Sequence, residues 1–223
     1  MILPAQLRRP GSAVGRKSED LVLQGVIRVF PIFKTKRFIM REMTDEDVND
    51  MYDYYSNPDM MRFTRTDIHK YKEDTLNRIR NLSSSFTNKK GIAWAIEALE
   101  TGKVIGDIGL FFISPDSKKA GIGFNISPEF WNKGYCTEAL ILALNYALLE
   151  LGVIRVEATS KIDNIGSIRV MEKAGMICEG VLRQYSYKNG YYHDVKIFSK
   201  IRSDMNPSSF DSAVQPESEP PFT

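Results

Sequence analysis

"GFNISPEFWNKGYCTEAL", residues Gly123 to Leu140, joins an apolar run to a helical pattern through a turn at Gly134. Glycine lets the chain bend and lets backbone N–H groups approach a ligand with no Cβ in the way. With Thr137 read as the helix start, the unpaired donors of the first turn and the positive end of the macrodipole point back into the turn. That arrangement favours an anion, and Lys133 adds a positive charge. The stretch has neither the Gly-Lys-Ser/Thr ending of a nucleotide loop nor the G-x-G-x-x-G of a dinucleotide fold. It reads as a phosphate cradle for neither ATP nor NAD, or, taken alone, as a plain loop glycine before a helix.

Working outward, the periodicity alternates between strand and helix. "RFIMREM" (Arg37–Met43) reads as a strand. Thr44 and Asp47 form a capping-box pair ahead of a helix whose shared face carries Val48, Met51, Tyr52 and Tyr55. A second helix is predicted from about Lys72 to Leu82, with Leu76, Ile79 and Leu82 spaced for burial. Residues 92–113 read as two strands about the turn Glu100–Lys103, and Ala120–Ser127 as a third. A helix over Thr137–Leu149, a strand over Val153–Ser160 and a helix from an Asn164 cap to Ala174 follow, the last stopped by Gly175. Asn189-Gly190 is a hairpin turn between the last two strands. The order β-α-α-β-β-β-α-β-α-β-β implies an α/β architecture, a mixed sheet with helices on both faces.

Composition sets bounds on this reading. The 223 residues suit one domain with extensions, and 43% hydrophobic with 26% charged residues is ordinary for a globular chain. A net charge of +2 gives no argument for nucleic acid, and no run is long enough to span a membrane. Two cysteines form neither a disulfide framework nor a metal site, which points to a reducing, cytoplasmic setting and to no metal. Residues 1–34 read as an N-terminal extension, with "LVLQGVIRVFPIF" (Leu21–Phe33) as a strand or packing arm. Residues 35–203 read as the working domain, and 204–223, rich in Pro and Ser, as a solvated tail.

The succession of meander strand, glycine turn, helix, strand, Asn164 and a helix ending "EKAGM" resembles the GCN5-related N-acetyltransferase (GNAT) superfamily. "ISPEFWNKGYCTEAL", "DNIGSIRVMEKAGM" and "EGVLRQYSYKNGYYHDV" resemble most the subgroup of ribosomal-protein alanine N-acetyltransferases, over about Lys36 to Arg202. The resemblance implies a mostly antiparallel GNAT-like sheet, acetyl-CoA as acetyl donor, direct transfer to an amine, and homodimers. It implies that a bulged strand at Phe124, Asn125 and Ile126 pairs its backbone with the pantetheine. It places the pyrophosphate on the turn Asn132, Lys133, Gly134, Cys136 and Thr137, and Asn164 near the pantetheine, where N-capping is its other role. Trp131 reads as core packing.

The chemistry departs from the commoner family pattern. Many members place a tyrosine acid where this chain has Met171, and the subgroup's glutamate base aligns with Ser186. Ser167 matches the subgroup's serine near the thiol and is the candidate acid. A peptide α-amine, with pKa near 8, is about one-fifth neutral near pH 7.4, whereas a lysine amine at about 10.4 is about one part in a thousand neutral. A site without a strong base therefore suits a peptide or protein N-terminus, ribosomal or other, as acceptor. The alternatives are a small-molecule amine, such as a polyamine or aminoglycoside, and a CoA-binding module without catalysis. Glu42, Glu97, Asp107 and Asp194 are the strand carboxylates that could replace the base. His193 and Asp194, adjacent on a strand, point to opposite faces and read as structural or substrate-orienting. His69 and the tyrosines Tyr52, Tyr54 and Tyr55 fall where the resemblance puts the acceptor site, although tyrosines at helical spacing also read as core. Cys136, at a helix N-terminus, is expected to have a lowered thiol pKa.

Overall fold

The computed structural model describes residues 29–114 and 117–205. The expected tail and most of the expected N-terminal extension lie outside the described residues. Eight strands form one sheet: β1 (Phe33–Lys34), β2 (Phe38–Glu42), β3 (Gly91–Ala98), β4 (Val104–Ser114), β5 (Lys119–Ile126), β6 (Arg155–Lys161), β7 (Ile177–Lys188) and β8 (Tyr191–Ile201). Their spatial order is β1-β2-β3-β4-β5-β6-β8-β7. Every neighbouring pair is antiparallel except β5 and β6. The helices are α1 (Val48–Tyr55), α2 (Pro58–Met61), α3 (Lys72–Thr87), α4 (Tyr135–Asn145) and α5 (Ile165–Lys173).

Strand β3 shows why the sheet needs both layers. Successive side chains point to opposite faces. Ile92, Trp94, Ile96 and Ala98 enter one buried cluster with α4, while Ala93 and Ala95 enter the other with α1 and α3. Large residues fill the α4 side. Alanines on the far side leave room for Met51, Tyr54 and Tyr55, all fully buried. Phe30 and Pro31, ahead of β1, pack on the α4-side cluster too. Pro31 accepts a hydrogen bond from the Trp94 indole at 2.7 Å, and Phe30 meets Phe86 edge-on at 5.0 Å.

Several local readings shift by a residue or a turn. The Asp47 carboxylate accepts the Thr44 N–H at 2.8 Å as the capping motif requires, but it closes a short 3-10 turn before α1. The buried tyrosines of α1 are Tyr54 and Tyr55, whereas Tyr52 reaches the Lys70 carbonyl at the surface. Helix α3 runs to Thr87, with Thr75 buried beside Ile79 and Leu82. Helix α4 starts at Tyr135 and ends at Asn145, and a wider π-type turn over Tyr146–Glu150 carries the chain to Gly152. Asn189 and Gly190 both have positive φ, 53° and 84°, as the tight hairpin demands.

Two predictions arise from this packing. A Cβ at Gly106 would lie 2.4 Å from the Asn125 carbonyl oxygen, which the β4–β5 ladder holds in place. Gly106→Ala should cost about 1–3 kcal/mol by denaturant unfolding. Gly123→Ala, whose Cβ would meet only the Phe111 ring at 3.3 Å, should cost less. The second concerns His69, which is buried, stacked on Tyr55 at 4.6 Å and bonded to the Thr75 hydroxyl at 2.8 Å. Burial, then the nearby Arg78 charge, lower its imidazole below the ordinary value. A depressed folded-state value means that protonation favours the unfolded chain. The stability from neutral His69 is complete above about pH 6.5 and lost as pH falls through the folded value. His69→Gln should flatten the pH–stability curve just below pH 6.5; an unchanged slope would remove His69 from the acid response.

Candidate active site

Strands β5 and β6 pair over three residues only, Lys119–Gly121 against Arg155–Glu157, and then part. Beyond that point each strand turns an unpaired backbone edge toward a cleft of about 1160 Å³. β5 stays in regular register with β4 through Ile126, so the bulge expected at Phe124–Ile126 is absent and the gap comes from the parting. Phe124 and Ile126 pack against the α4-side core. All three expected pantetheine residues line the cleft.

At the cleft's end the chain turns through Asn132 (φ 59°) and Gly134 (φ 84°), both left-handed. Gly134 is the N-cap, and the first helical bond runs from the Glu138 N–H to the Gly134 carbonyl at 3.1 Å. The N–H groups of Tyr135, Cys136 and Thr137 are thus the helix's unpaired first-turn donors. Asn132, Gly134, Cys136 and Thr137 line the cleft, whereas Lys133 is not part of its wall and lays its ammonium 5.1 Å from the Phe130 ring centroid. The turn is braced from behind by Arg37, to which no motif in the sequence points. Its guanidinium donates to the Lys133 carbonyl at 2.7 Å, reaches Glu138 at 3.4 Å, and stacks 3.8 Å from the Tyr135 centroid. Trp131, expected in the core, is 41% exposed; its indole N–H binds the Ile126 carbonyl at 2.8 Å and ties the turn to the end of β5.

Opposite the cradle, Asn164 caps α5 by accepting the Ser167 N–H at 3.1 Å, and both residues line the cleft. The Ser167 hydroxyl has no hydrogen-bond partner among the described residues. Met171 is fully buried in the core, whereas Ser186, also buried, lines the cleft and faces His193 across the hairpin.

The four strand carboxylates separate cleanly. Glu97 binds Arg41 at 2.6 Å, Asp194 accepts the Gln184 N–H at the β7 bulge, and Glu42 is exposed on β2, outside the cleft wall. Asp107 alone of the four lines the cleft, and it is buried. The Tyr54 and Tyr55 hydroxyls donate to its Oδ2 at 3.0 and 2.8 Å, and Asn125 donates to Oδ1 at 3.0 Å. Arg78 Nε in turn donates to the Tyr55 oxygen at 2.7 Å. Burial, with the Asp107 charge beside it, raises both tyrosines far above their ordinary range, so they stay hydroxyl donors. The same wall of the cleft continues through Met60, Phe63, Thr64 and Arg65. The segment carrying them is pinned by Lys188, whose ammonium donates to the carbonyls of Met61, Thr64 and Thr66 at 2.7–2.9 Å. Cys136 corrects the sequence expectation: burial, and the Asp107 charge after it, push its thiol up, which outweighs the helix N-terminus. Among the described residues no group of three or more His, Cys, Asp or Glu side chains could hold a metal, and no helix is long and apolar enough to cross a membrane.

A family model described as an acetyltransferase (GNAT) domain matches residues 37–177. The uncharacterized N-acetyltransferase YoaA of Bacillus subtilis is 33% identical over 78% of this chain and 98% of its own length. The ribosomal-protein-serine acetyltransferase of Escherichia coli is 25% identical over 58% of this chain and 72% of its own. Among solved structures, the ribosomal L7/L12 alpha-N-protein acetyltransferase RimL in complex with coenzyme A superposes with a TM-score of 0.70, covering 76% of this chain and 97% of that one at 19% identity. The parted strands, the glycine cradle and these relatives agree: the chain is an acetyl-CoA-dependent acyltransferase and belongs to the GNAT superfamily of N-acetyltransferases.

Proposed function

We propose that the acetyl group passes directly to the α-amine of a peptide or protein N-terminus. The observation that carries this reading is the sign of the acceptor wall. Its described residues between Tyr52 and Phe86 bring two arginines, Arg65 and Arg78, and one exposed acid, Asp59. A polyamine needs negative charge around it, and this wall, whose Asp59 and Asp107 are matched by the two arginines, offers it no acidic cluster. An α-amine is already partly neutral near pH 7.4, and a neighbouring guanidinium favours its neutral form further. No strong base is then required, in keeping with Ser186 where the subgroup has a glutamate.

On this reading the pantetheine of acetyl-CoA lies along the open edge of β5 at Phe124, Asn125 and Ile126, adding to the sheet as a strand would. Its pyrophosphate rests on the donors from Asn132 to Thr137, with Lys133 contributing charge from outside, and Asn164 sits beside the pantetheine. The amine nitrogen attacks the thioester carbon, and the tetrahedral oxyanion is held by backbone N–H groups. As the C–S bond breaks, the thiolate takes a proton from the Ser167 hydroxyl, which regains one from solvent, and the amine's proton leaves to solvent. One buried and one exposed unpaired cysteine, Cys136 and Cys178, fit a reducing cytoplasm.

Thiol release from acetyl-CoA over a panel of peptides with free N-termini, their N-blocked lysine-containing counterparts and spermidine tests the acceptor. Free N-termini should dominate kcat/KM, and preference for spermidine overturns the reading. Ser167→Ala should lower kcat by about 10²-fold or more while leaving acetyl-CoA affinity unchanged; full activity excludes Ser167 as the acid.

A further inference from the structure

Arg78 differs from the arginines that brace this fold. Arg37, Arg41, Arg80 and Arg155 each bind a carboxylate within 3.4 Å. Arg78 makes no ion pair among the described residues, although it is only partly exposed and lines the cleft. Its one hydrogen bond runs from Nε to the Tyr55 oxygen, and its guanidinium carbon lies 5.1 Å from the Tyr55 ring centroid. Those contacts fix the plane of the group and leave both Nη nitrogens, four N–H donors, without a protein acceptor among the described residues. Asp107 does not neutralise it directly. That carboxylate is filled by Tyr54, Tyr55 and Asn125 and meets Arg78 only through the Tyr55 hydroxyl. Arg65 stands on the same wall and likewise lacks a carboxylate partner. It reaches the Thr159 hydroxyl at 3.3 Å and the Tyr185 ring at 5.3 Å.

A partly buried, pre-oriented guanidinium with its fork unfilled is a carboxylate receptor. We infer that Arg78 selects acceptors carrying an acidic group close to the reacting amine, namely peptides with Asp or Glu within their first three residues. The inference rests on the peptide reading above and narrows it. Arg65, exposed on the same wall, draws the same anion in from solvent. The buried end of the recognition is Arg78, because Tyr55 and Asp107 hold it from behind. A fork held this way rewards a planar carboxylate over the amide of the same shape, which offers one acceptor oxygen and no charge.

The test compares kcat/KM for peptides that differ only by Glu against Gln at the second or third position, in wild type, Arg78→Met and Arg78→Lys. Wild type should prefer the Glu peptide by about tenfold or more, as expected for a charge-assisted pair. Arg78→Met should bring the ratio near one, and Arg78→Lys should keep part of it. The ratio is unaffected by any loss common to both peptides, so a variant that is merely less stable is told apart, with thermal melting to confirm folding. Equal turnover of the Glu and Gln peptides by wild type overturns the inference, as does an unchanged ratio in Arg78→Met. Turnover of free glutamate or glutamine with no peptide acetylated sinks the peptide reading instead. The glutamate-to-glutamine ratio across the same variants then decides the role of Arg78 by the same criterion.

Discussion

Two neighbouring strands that stop pairing create a problem that the rest of this molecule solves. Backbone N–H and C=O groups left open inside a fold must find partners. β5 and β6 hold each other for three residues and then diverge, because β6 continues into the cap of α5 while β5 stays in register with β4. The open edges border a cleft rather than a core, so water or an extended ligand with amide groups can satisfy them. An acetylated pantetheine arm has that chemistry. The cradle at Gly134 closes the same gap at one end, where left-handed residues turn the chain so that a helix points its free donors inward. The catalytic proposal therefore depends on a backbone constraint before it depends on any side chain.

The second constraint is electrostatic. Burying the Asp107 carboxylate costs several kcal/mol unless its lone pairs are filled. Two tyrosines from α1 and one asparagine from β5 fill most of them, and Arg78 from α3 supplies positive charge one bond further out. The network ties α1 and α3 to the β4–β5 side of the cleft through a single group, so they cannot shift relative to β4 and β5 without exposing a buried charge. Such a network, once fully satisfied, rigidifies its surroundings. That suits a site in which the thioester carbon and the amine must meet at close range.

The sheet, the helices and the cradle could be read from the sequence because each follows from a local rule: alternation for β3 to β5, capping at Thr44 and Asn164, positive φ at Gly134, Gly175 and Gly190. Errors arose where a local rule met a tertiary override. Helical spacing alone cannot tell Tyr52 from Tyr54, since the choice depends on which tyrosine can reach Asp107, 53 residues beyond Tyr54. The lowered thiol expected for Cys136 follows from its place at a helix start, but burial dominates there. Arg37 carried no signal, as its partners at Lys133 and Glu138 lie about a hundred positions away. Trp131 looked like core because of its size; the constraint it meets is a single carbonyl at the end of β5.

The wall proposed to take the acceptor is the least patterned part of the chain, and its physical support explains why. Met61 ends α2, and Thr64 and Thr66 belong to no strand or helix that could pair their carbonyls. All three are gathered instead by one ammonium, Lys188, from the hairpin at the far end of the sheet. Holding a lysine there has a cost, visible in the burial that lowers its pKa, and the three carbonyl bonds offset it. A segment held by its backbone carbonyls does not depend on the side chains of Phe63 and Arg65 for that hold. Phe63 and Arg65 could be exchanged for other residues without loosening the clamp, while the cleft, the cradle and Asp107 stay in place. On the proposed reading, acceptor choice on this scaffold is thus separable from the machinery that handles the thioester, and the charge on the wall is free to follow the acceptor.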